Sequence, residues 1–327
     1  MKNLHKLIVV LIVVCQISIA YSHNTPKNFT EKALTLKTPE GILYGTLLTP
    51  KSSKKPPLVI FITGSIGTDR NGNMENNPDK NNWVAYLADS LAQKGIASFR
   101  YDKIGTGISK ITKKEMSLYD VTYDVNVAHS ISWLLFFSKK RKEFPKQILF
   151  GHGDGSTIGL VASNVVNVDG FISACASGST NDRVIESLYF PSIPDKLRDI
   201  GMYILAEMRA GRTTDSVPLP LIPLFGKEIQ PIIISGMKYD PSQKVKTLPC
   251  PLLIVYAEYD LDMPESETLK LAAASPTSKV LKIPSMNHIF KEVRNDYLKN
   301  RGTYSIPVLP IIDGITDKLA DFINSIP

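Results

Sequence analysis

The 327-residue chain is 43% hydrophobic and 21% charged, a composition that supports a large packed core and excludes a disordered or fibrous protein. Its formal charge of +7 is spread along the chain, and its three cysteines are too few for a disulfide scaffold. The densest basic group, Lys139-Lys140-Arg141-Lys142, has no aromatic-rich basic groove beside it and reads as a solvated helix end, so no nucleic-acid partner is expected.

Residues 1–22 combine a basic start at Lys2 and Lys6, an apolar run over 7–14 and small residues at Ala20 and Ser22, the three regions of a secretory signal. The apolar run is interrupted by Cys15-Gln16 and is short for a membrane span. Cleavage near residue 21 or 23 is therefore expected, with export to the periplasm or the exterior and no stable membrane span afterwards. Loss of Lys2 and Lys6 lowers the formal charge to +5. Cys175 and Cys250 remain, placed at offset levels on neighbouring strands several rises of about 3.3 Å apart, too far to bond.

Residues 32–36 and 42–48 alternate as two strands joined at Pro39-Glu40-Gly41, a hairpin at a sheet edge. Residues 58–62 are apolar on both faces, as in a strand inside a parallel sheet. Trp83, Leu87 and Leu91 recur every fourth residue and mark a helix that Gly95 closes before a strand over 96–101. A helix over 121–137, a strand over 147–150, a helix from Gly155 and a strand over 170–174 continue the rhythm. Strands over 252–256 and 280–283 and a helix over 311–326 complete it. This alternation predicts an α/β protein with a mostly parallel, doubly wound sheet. Residues 179–246 break the pattern with two helix-like stretches and a proline-rich apolar run over 217–225. They read as an inserted, mainly helical cap that divides the core into 31–178 and 247–327 and lines a pocket for nonpolar groups.

The run Gly151-His152-Gly153-Asp154-Gly155 sits between a strand and a helix, the setting of a nucleophile elbow, in which glycines let backbone crowd a strained turn that holds a serine above the sheet. Here the nucleophile position is Gly153. Ser156 falls in the first turn of the following helix and should point away from the tip, and Asp154 is an acidic residue at a helix N-terminus, where the dipole favours it. Hydrolases with an elbow take an acid and then a histidine from later strand ends. Asp260 follows the strand over 252–256 and His288 follows the strand over 280–283. Glu258 and Asp262 are weaker candidates for the acid. The carboxylate would fix the imidazole tautomer and stabilise the imidazolium formed when His288 takes a proton.

With these residues the chain resembles the bacterial secreted α/β hydrolases, the capped carboxylesterase and serine aminopeptidase-like group. The resemblance runs through residues 64–73, similar to that group's oxyanion loop, and Arg100-Tyr101-Asp102-Lys103-Ile104-Gly105-Thr106-Gly107, similar to its turn after the next strand. It continues through Arg209-Ala210-Gly211-Arg212 and residues 230–241 in the cap, and Asn287-His288-Ile289-Phe290-Lys291 at the histidine. It implies an α/β-hydrolase fold, a serine-aspartate-histidine plan acting on carboxylic esters, and an oxyanion hole from the backbone amides of Ser65 or Ile66 and of Asp154. It implies no cofactor and no metal, and a small-molecule ester or acyl ligand as partner. The departures are Gly153 in place of serine, Ile104 in place of the usual arginine, and Ile66-Gly67 in place of a Gly-Pro pair.

Three functional readings follow. The protein is an esterase-type hydrolase with impaired chemistry; or a non-catalytic protein that keeps the pocket for binding; or an enzyme in which the His288-Asp260 dyad acts as general base without a covalent intermediate.

Overall fold

The computed structural model describes residues 28–64, 67–75 and 80–327; the expected signal, residues 1–22, lies outside the described residues. The chain opens with β1 (Phe29–Lys37) and β2 (Gly41–Pro50), paired antiparallel from Phe29 opposite Pro50 to Lys37 opposite Ile42. Then come β3 (Leu58–Ile62), α1 (Trp83–Gln93), β4 (Ala97–Tyr101), the short β5 (Lys110–Ile111), α2 (Tyr123–Ser138), β6 (Gln147–His152), α3 (Asp154–Ser163) and β7 (Gly170–Ala174). The helices α4 (Asn181–Val184), α5 (Asp195–Arg209), α6 (Ile222–Phe225), α7 (Gln230–Gly236) and α8 (Pro241–Lys244) precede the return to β8 (Leu252–Ala257). The elements α9 (Glu265–Ala274), β9 (Lys279–Ile283), α10 (Tyr297–Gly302) and α11 (Ile315–Ser325) finish the chain.

The strands form one sheet in the order β1-β2-β4-β3-β6-β7-β8-β9, with β5 paired to β2. From β4 to β9 neighbouring strands are parallel, and β2 lies antiparallel to β4. Every residue of β3, β4, β6, β7 and β8 is buried, because helices cover both faces of a parallel sheet and apolar side chains are needed on each. The two-residue period of a strand then splits the interior in two. Leu149, with Phe99, Trp133 and Phe137, faces one layer; Phe150, with Trp83, Leu87 and Leu319, faces the other.

Local signals explain the helix ends. Thr122 caps α2 by accepting a hydrogen bond from the Val125 amide, worth about 1 kcal/mol, and Gly95 follows α1 at φ 77°, a left-handed conformation that costs glycine nothing. The helix α9, which the apolar pattern does not single out, buries only Glu267, Thr268 and Leu271, too few apolar residues to mark a face. The segment between β7 and β8 carries its own small core, in which Ile185, Phe190, Ile204, Leu205, Phe225 and Ile233 pack together. No helix among the described residues is long and apolar enough to cross a membrane. The parallel arrangement brings the C-terminal ends of β3, β6, β7, β8 and β9 to one edge of the sheet, where open α/β sheets place their ligands.

Candidate active site

The turn between β6 and α3 has the backbone of an elbow. Gly153 adopts φ 54° and ψ −126°, a conformation costly for side-chain-bearing residues and tolerated where surrounding structure imposes it. Packing on either side imposes it here. A Cβ on Gly155 would lie 2.2 Å from the carbonyl oxygen of Ile62, and one on Gly151 would lie 2.4 Å from the Cα of Ser156, so only glycine fits at these two positions. The Gly153 amide donates to the Ala174 carbonyl at 2.9 Å, and the Ser156 amide donates to the Gly153 carbonyl at 3.1 Å. At Gly153 itself there is room. A Cβ there would meet His288 Nε2 at 3.8 Å, His288 Cε1 at 3.9 Å and the Cys175 carbonyl oxygen at 4.0 Å, which is ordinary van der Waals contact.

Asp260, beyond β8, and His288, beyond β9, come together as a pair. The Nδ1 of His288 lies 3.0 Å and 2.9 Å from the two carboxylate oxygens of Asp260. A carboxylate can only accept, so Nδ1 carries the proton and Nε2 is left as the basic nitrogen that faces Gly153. Asp260 is held in turn by the amides of Asp262 at 2.9 Å and Met263 at 2.8 Å. Burial works against a charged imidazole, but the Asp260 carboxylate, its hydrogen bond to Nδ1 and the nearby Asp262 hold the pKa of His288 above its ordinary value.

Neighbouring side chains hold this pair in place. The Nε2 of His152 donates to the His288 carbonyl at 2.8 Å, and its ring packs at 4.5 Å from the His288 ring and 4.4 Å from that of Trp83. Burial, with His288 close by, pushes the pKa of His152 down to about 3, so this imidazole stays neutral. Asn287 fixes the histidine loop: its side-chain nitrogen donates to Asn300 at 3.0 Å and Thr303 at 2.8 Å, and its oxygen accepts from the Lys291 amide at 2.9 Å. Asn300 also donates to the Tyr259 carbonyl at 2.8 Å, so α10 ties the acid loop to the histidine loop. None of His152, Asn300 and Thr303 is marked by local sequence pattern; each acts through contacts made across the fold.

On the other flank, Asp102 accepts from the backbone and guanidinium of Arg70 at 2.6–3.0 Å and from the Ile108 amide at 2.9 Å. The buried Lys103 donates to Thr63 Oγ1 at 2.7 Å and the Thr68 carbonyl at 3.1 Å, and burial brings its pKa down to about 8. These contacts anchor the loop that begins after β3. The expected oxyanion residues Ser65 and Ile66 lie outside the described residues, while Gly64 before them lines the cavity. Asp154, the first residue of α3, also lines it, and its carboxylate accepts from the Tyr123 hydroxyl at 2.9 Å. Ser156 is only 1% exposed and its hydroxyl pairs with Ser173 at 2.7 Å, inside the protein and away from the cavity. Glu258 receives the Ser285 amide at 2.9 Å and serves the turn after β9.

The cavity above the elbow has a volume of about 400 Å³. Its floor is Gly64, Gly153, Asp154 and His288, and its far wall is the apolar set Val184, Ile185, Leu224, Ile229, Ile232 and Ile233 from the segment between β7 and β8. The wide helical turn Ile185–Tyr189 contributes Ile185 and Tyr189 to that lining; turns of this kind recur beside ligand sites.

Two sets of metal-ligand type share His288: His152, Cys175 and His288, and Asp260, Asp262 and His288, each with candidate ligand atoms within 4.8 Å of one another. Within these sets Asp260 holds the Nδ1 of His288 and the His288 carbonyl holds the Nε2 of His152, while the Nε2 of His288 faces the cavity. Burial and the adjacent Asp260 push the Cys175 thiol well above its ordinary pKa.

No protein-family model and no curated protein matches the sequence. Solved structures do match it. Est1E from Butyrivibrio proteoclasticus aligns over 89% of this chain and 97% of its own, with a TM-score of 0.53 at 15% identity. The alpha/beta hydrolase GrgF from Penicillium sp. sh18 aligns over 91% of this chain and 99% of its own, with a TM-score of 0.57 at 14% identity. A thermophilic esterase from Thermogutta terrifontis aligns over 90% and 99%, with a TM-score of 0.54 at 12% identity. At these identities the likeness concerns architecture alone. The strand order, the elbow backbone and these structural neighbours together establish that the chain has the α/β-hydrolase fold.

Proposed function

We propose that this protein is an exported hydrolase of carboxylic esters bearing an apolar acyl group, in which His288, paired with Asp260, acts as general base on water in the space beside Gly153. The observation that carries this reading is the position of His288 Nε2, 3.8 Å from where the elbow's Cβ would stand, with Asp260 on its other nitrogen. A water oxygen there adds to the ester carbonyl carbon as Nε2 takes its proton, the Asp260 carboxylate stabilises the imidazolium, and the carbonyl oxygen becomes an oxyanion. The carbon–oxygen bond to the alcohol then breaks, and the proton passes from His288 to the departing alkoxide. The amide of Asp154, at the N-terminus of α3, and an amide of the loop after β3 are the donors assigned to the oxyanion. The apolar wall of the cavity supports an apolar acyl group, and residues 1–22 support export.

A second reading, non-catalytic binding of an acyl ligand, is favoured by Gly153 itself, since no hydroxyl is poised at the elbow. One experiment separates the two. Purified mature protein is assayed on p-nitrophenyl esters of two to ten carbons, beside His288→Ala. Hydrolysis lost in the variant supports the general-base reading; ester or fatty-acid binding with no His288-dependent turnover supports the binding protein.

A further inference from the structure

The histidine has a second carboxylate. Asp262 stands two residues beyond Asp260, and candidate ligand atoms of Asp260, Asp262 and His288 all lie within 4.8 Å of one another. Asp262 does not bond His288, whose Nδ1 is taken by Asp260. Two groups from the other side of the site hold it: the Tyr304 hydroxyl donates to Oδ2 at 2.7 Å, and the Arg301 guanidinium donates to Oδ1 at 2.8 Å. Arg301 is itself braced over the Tyr304 ring, 5.2 Å from its centre. An orienting acid needs only one carboxylate, and Asp260 already fills that role with both oxygens. A second acid at this distance adds charge and no orientation.

We propose that Asp262 is a positioning residue for the charge that develops on His288: its carboxylate stabilises the imidazolium formed when His288 takes a proton from the attacking nucleophile, and Arg301 sets how much of that charge the imidazole feels. The proposal rests on the general-base reading for its role in turnover, but not for its effect on His288. In a serine hydrolase the base acts on a hydroxyl fixed at the elbow. Here it acts on water, which has no covalent tether, and a more strongly stabilised imidazolium lowers the barrier to that proton transfer. Charge and polarity reach His288 from five elements. The loop after β8 brings Asp260 and Asp262, the elbow brings the neutral His152, the residue after β7 is the protonated Cys175, α10 brings Arg301, and the turn Ile185–Tyr189 brings Tyr189, whose hydroxyl feels both acids. Burial and Asp262 keep the Tyr189 hydroxyl protonated. Asp260, Asp262 and Arg301 are thus the charged members of the set, and of these Arg301 opposes the imidazolium, as burial does.

The test is an NMR titration of the His288 ring in the mature protein, assigned among the four histidines that follow the signal by comparison with His288→Gln. Asp262→Asn should lower the titration midpoint of His288 by about one pH unit, and Arg301→Gln, which leaves Asp262 uncompensated, should raise it. Shifts of opposite sign at two residues that touch each other are not produced by general loosening of the site. Should Arg301→Gln fail to fold, Tyr304→Phe removes one hydrogen bond from Asp262 and should give a smaller rise. An unchanged midpoint in Asp262→Asn, or a rise, overturns the proposal. The acid limb of ester turnover should move with the midpoint. A titration that shifts as stated in a protein that hydrolyses no ester would leave the charge coupling standing and remove the general-base reading.

Discussion

The two halves of the candidate site are built to the same standard but hold different things. The half proposed for acid–base work has both members of its pair, Asp260 and His288 at 2.9 Å, with His152, Asn287 and α10 fixing the loops that carry them. The elbow half has the strained backbone, the two crowded glycines and the helix N-terminus, yet offers no nucleophilic atom at Gly153. The contrast teaches that elbow geometry does not depend on the nucleophile. It is imposed by the close approach of Gly155 to Ile62 and of Gly151 to α3, contacts that remain whatever residue 153 is.

The strongest way to break that contrast is to supply the missing group. Gly153→Ser places a hydroxyl within reach of His288 Nε2, and esterase activity on short acyl esters should rise by several powers of ten, with new labelling by a fluorophosphonate at residue 153. The added strain should cost no more than about 2 kcal/mol, read from urea denaturation. Removing the base tests the other half: His288→Ala should lower native turnover by about 10²–10⁴-fold, measured under saturating ester. An elbow that is imposed by packing predicts a different outcome next door. Gly155→Ala drives a methyl into backbone and should destabilise the fold by about 3 kcal/mol, more than Gly153→Ser does although both sit in the same turn.

Acid should separate the halves as well. His152 ionises with an ordinary pKa near 6.5 in the unfolded chain and at about 3 when folded. The unfolded state therefore binds the extra proton first, and stability should decline as pH falls from about 6.5 toward 3. His152→Gln should flatten that decline in urea midpoints taken between these limits. The smallest effect is assigned to Ser156. Its hydroxyl serves Ser173 inside the core, so Ser156→Ala should cost about 1 kcal/mol of stability and leave turnover unchanged.

Much of this architecture is legible in the amino-acid sequence. Four strands of the sheet, β3, β6, β7 and β8, are short, largely apolar runs, and burial on both faces leaves that mark in the chain, while β4 is equally buried but carries Ser98 and Arg100. The order elbow, acid, histidine can be read because each residue follows its strand directly. The helix α9 does not stand out because it buries only one apolar side chain, Leu271. The supporting roles around the site, of His152 beneath the histidine loop, of Lys103, which holds the loop after β3 from beyond β4, and of Arg301 with Tyr304 around Asp262, are not legible either. Their partners lie far along the chain, at separations such as 136 residues between His152 and His288, and no local period records such contacts.

On the proposed function, chemistry at this site belongs to the dyad acting on water and needs no protein hydroxyl. The most direct measurement is ester hydrolysis by the native protein after exhaustive treatment with a fluorophosphonate and removal of unbound reagent. The protein should remain unlabelled, with its His288-dependent turnover undiminished. Labelling of a serine, Ser156 above all, with matching loss of turnover would contradict it.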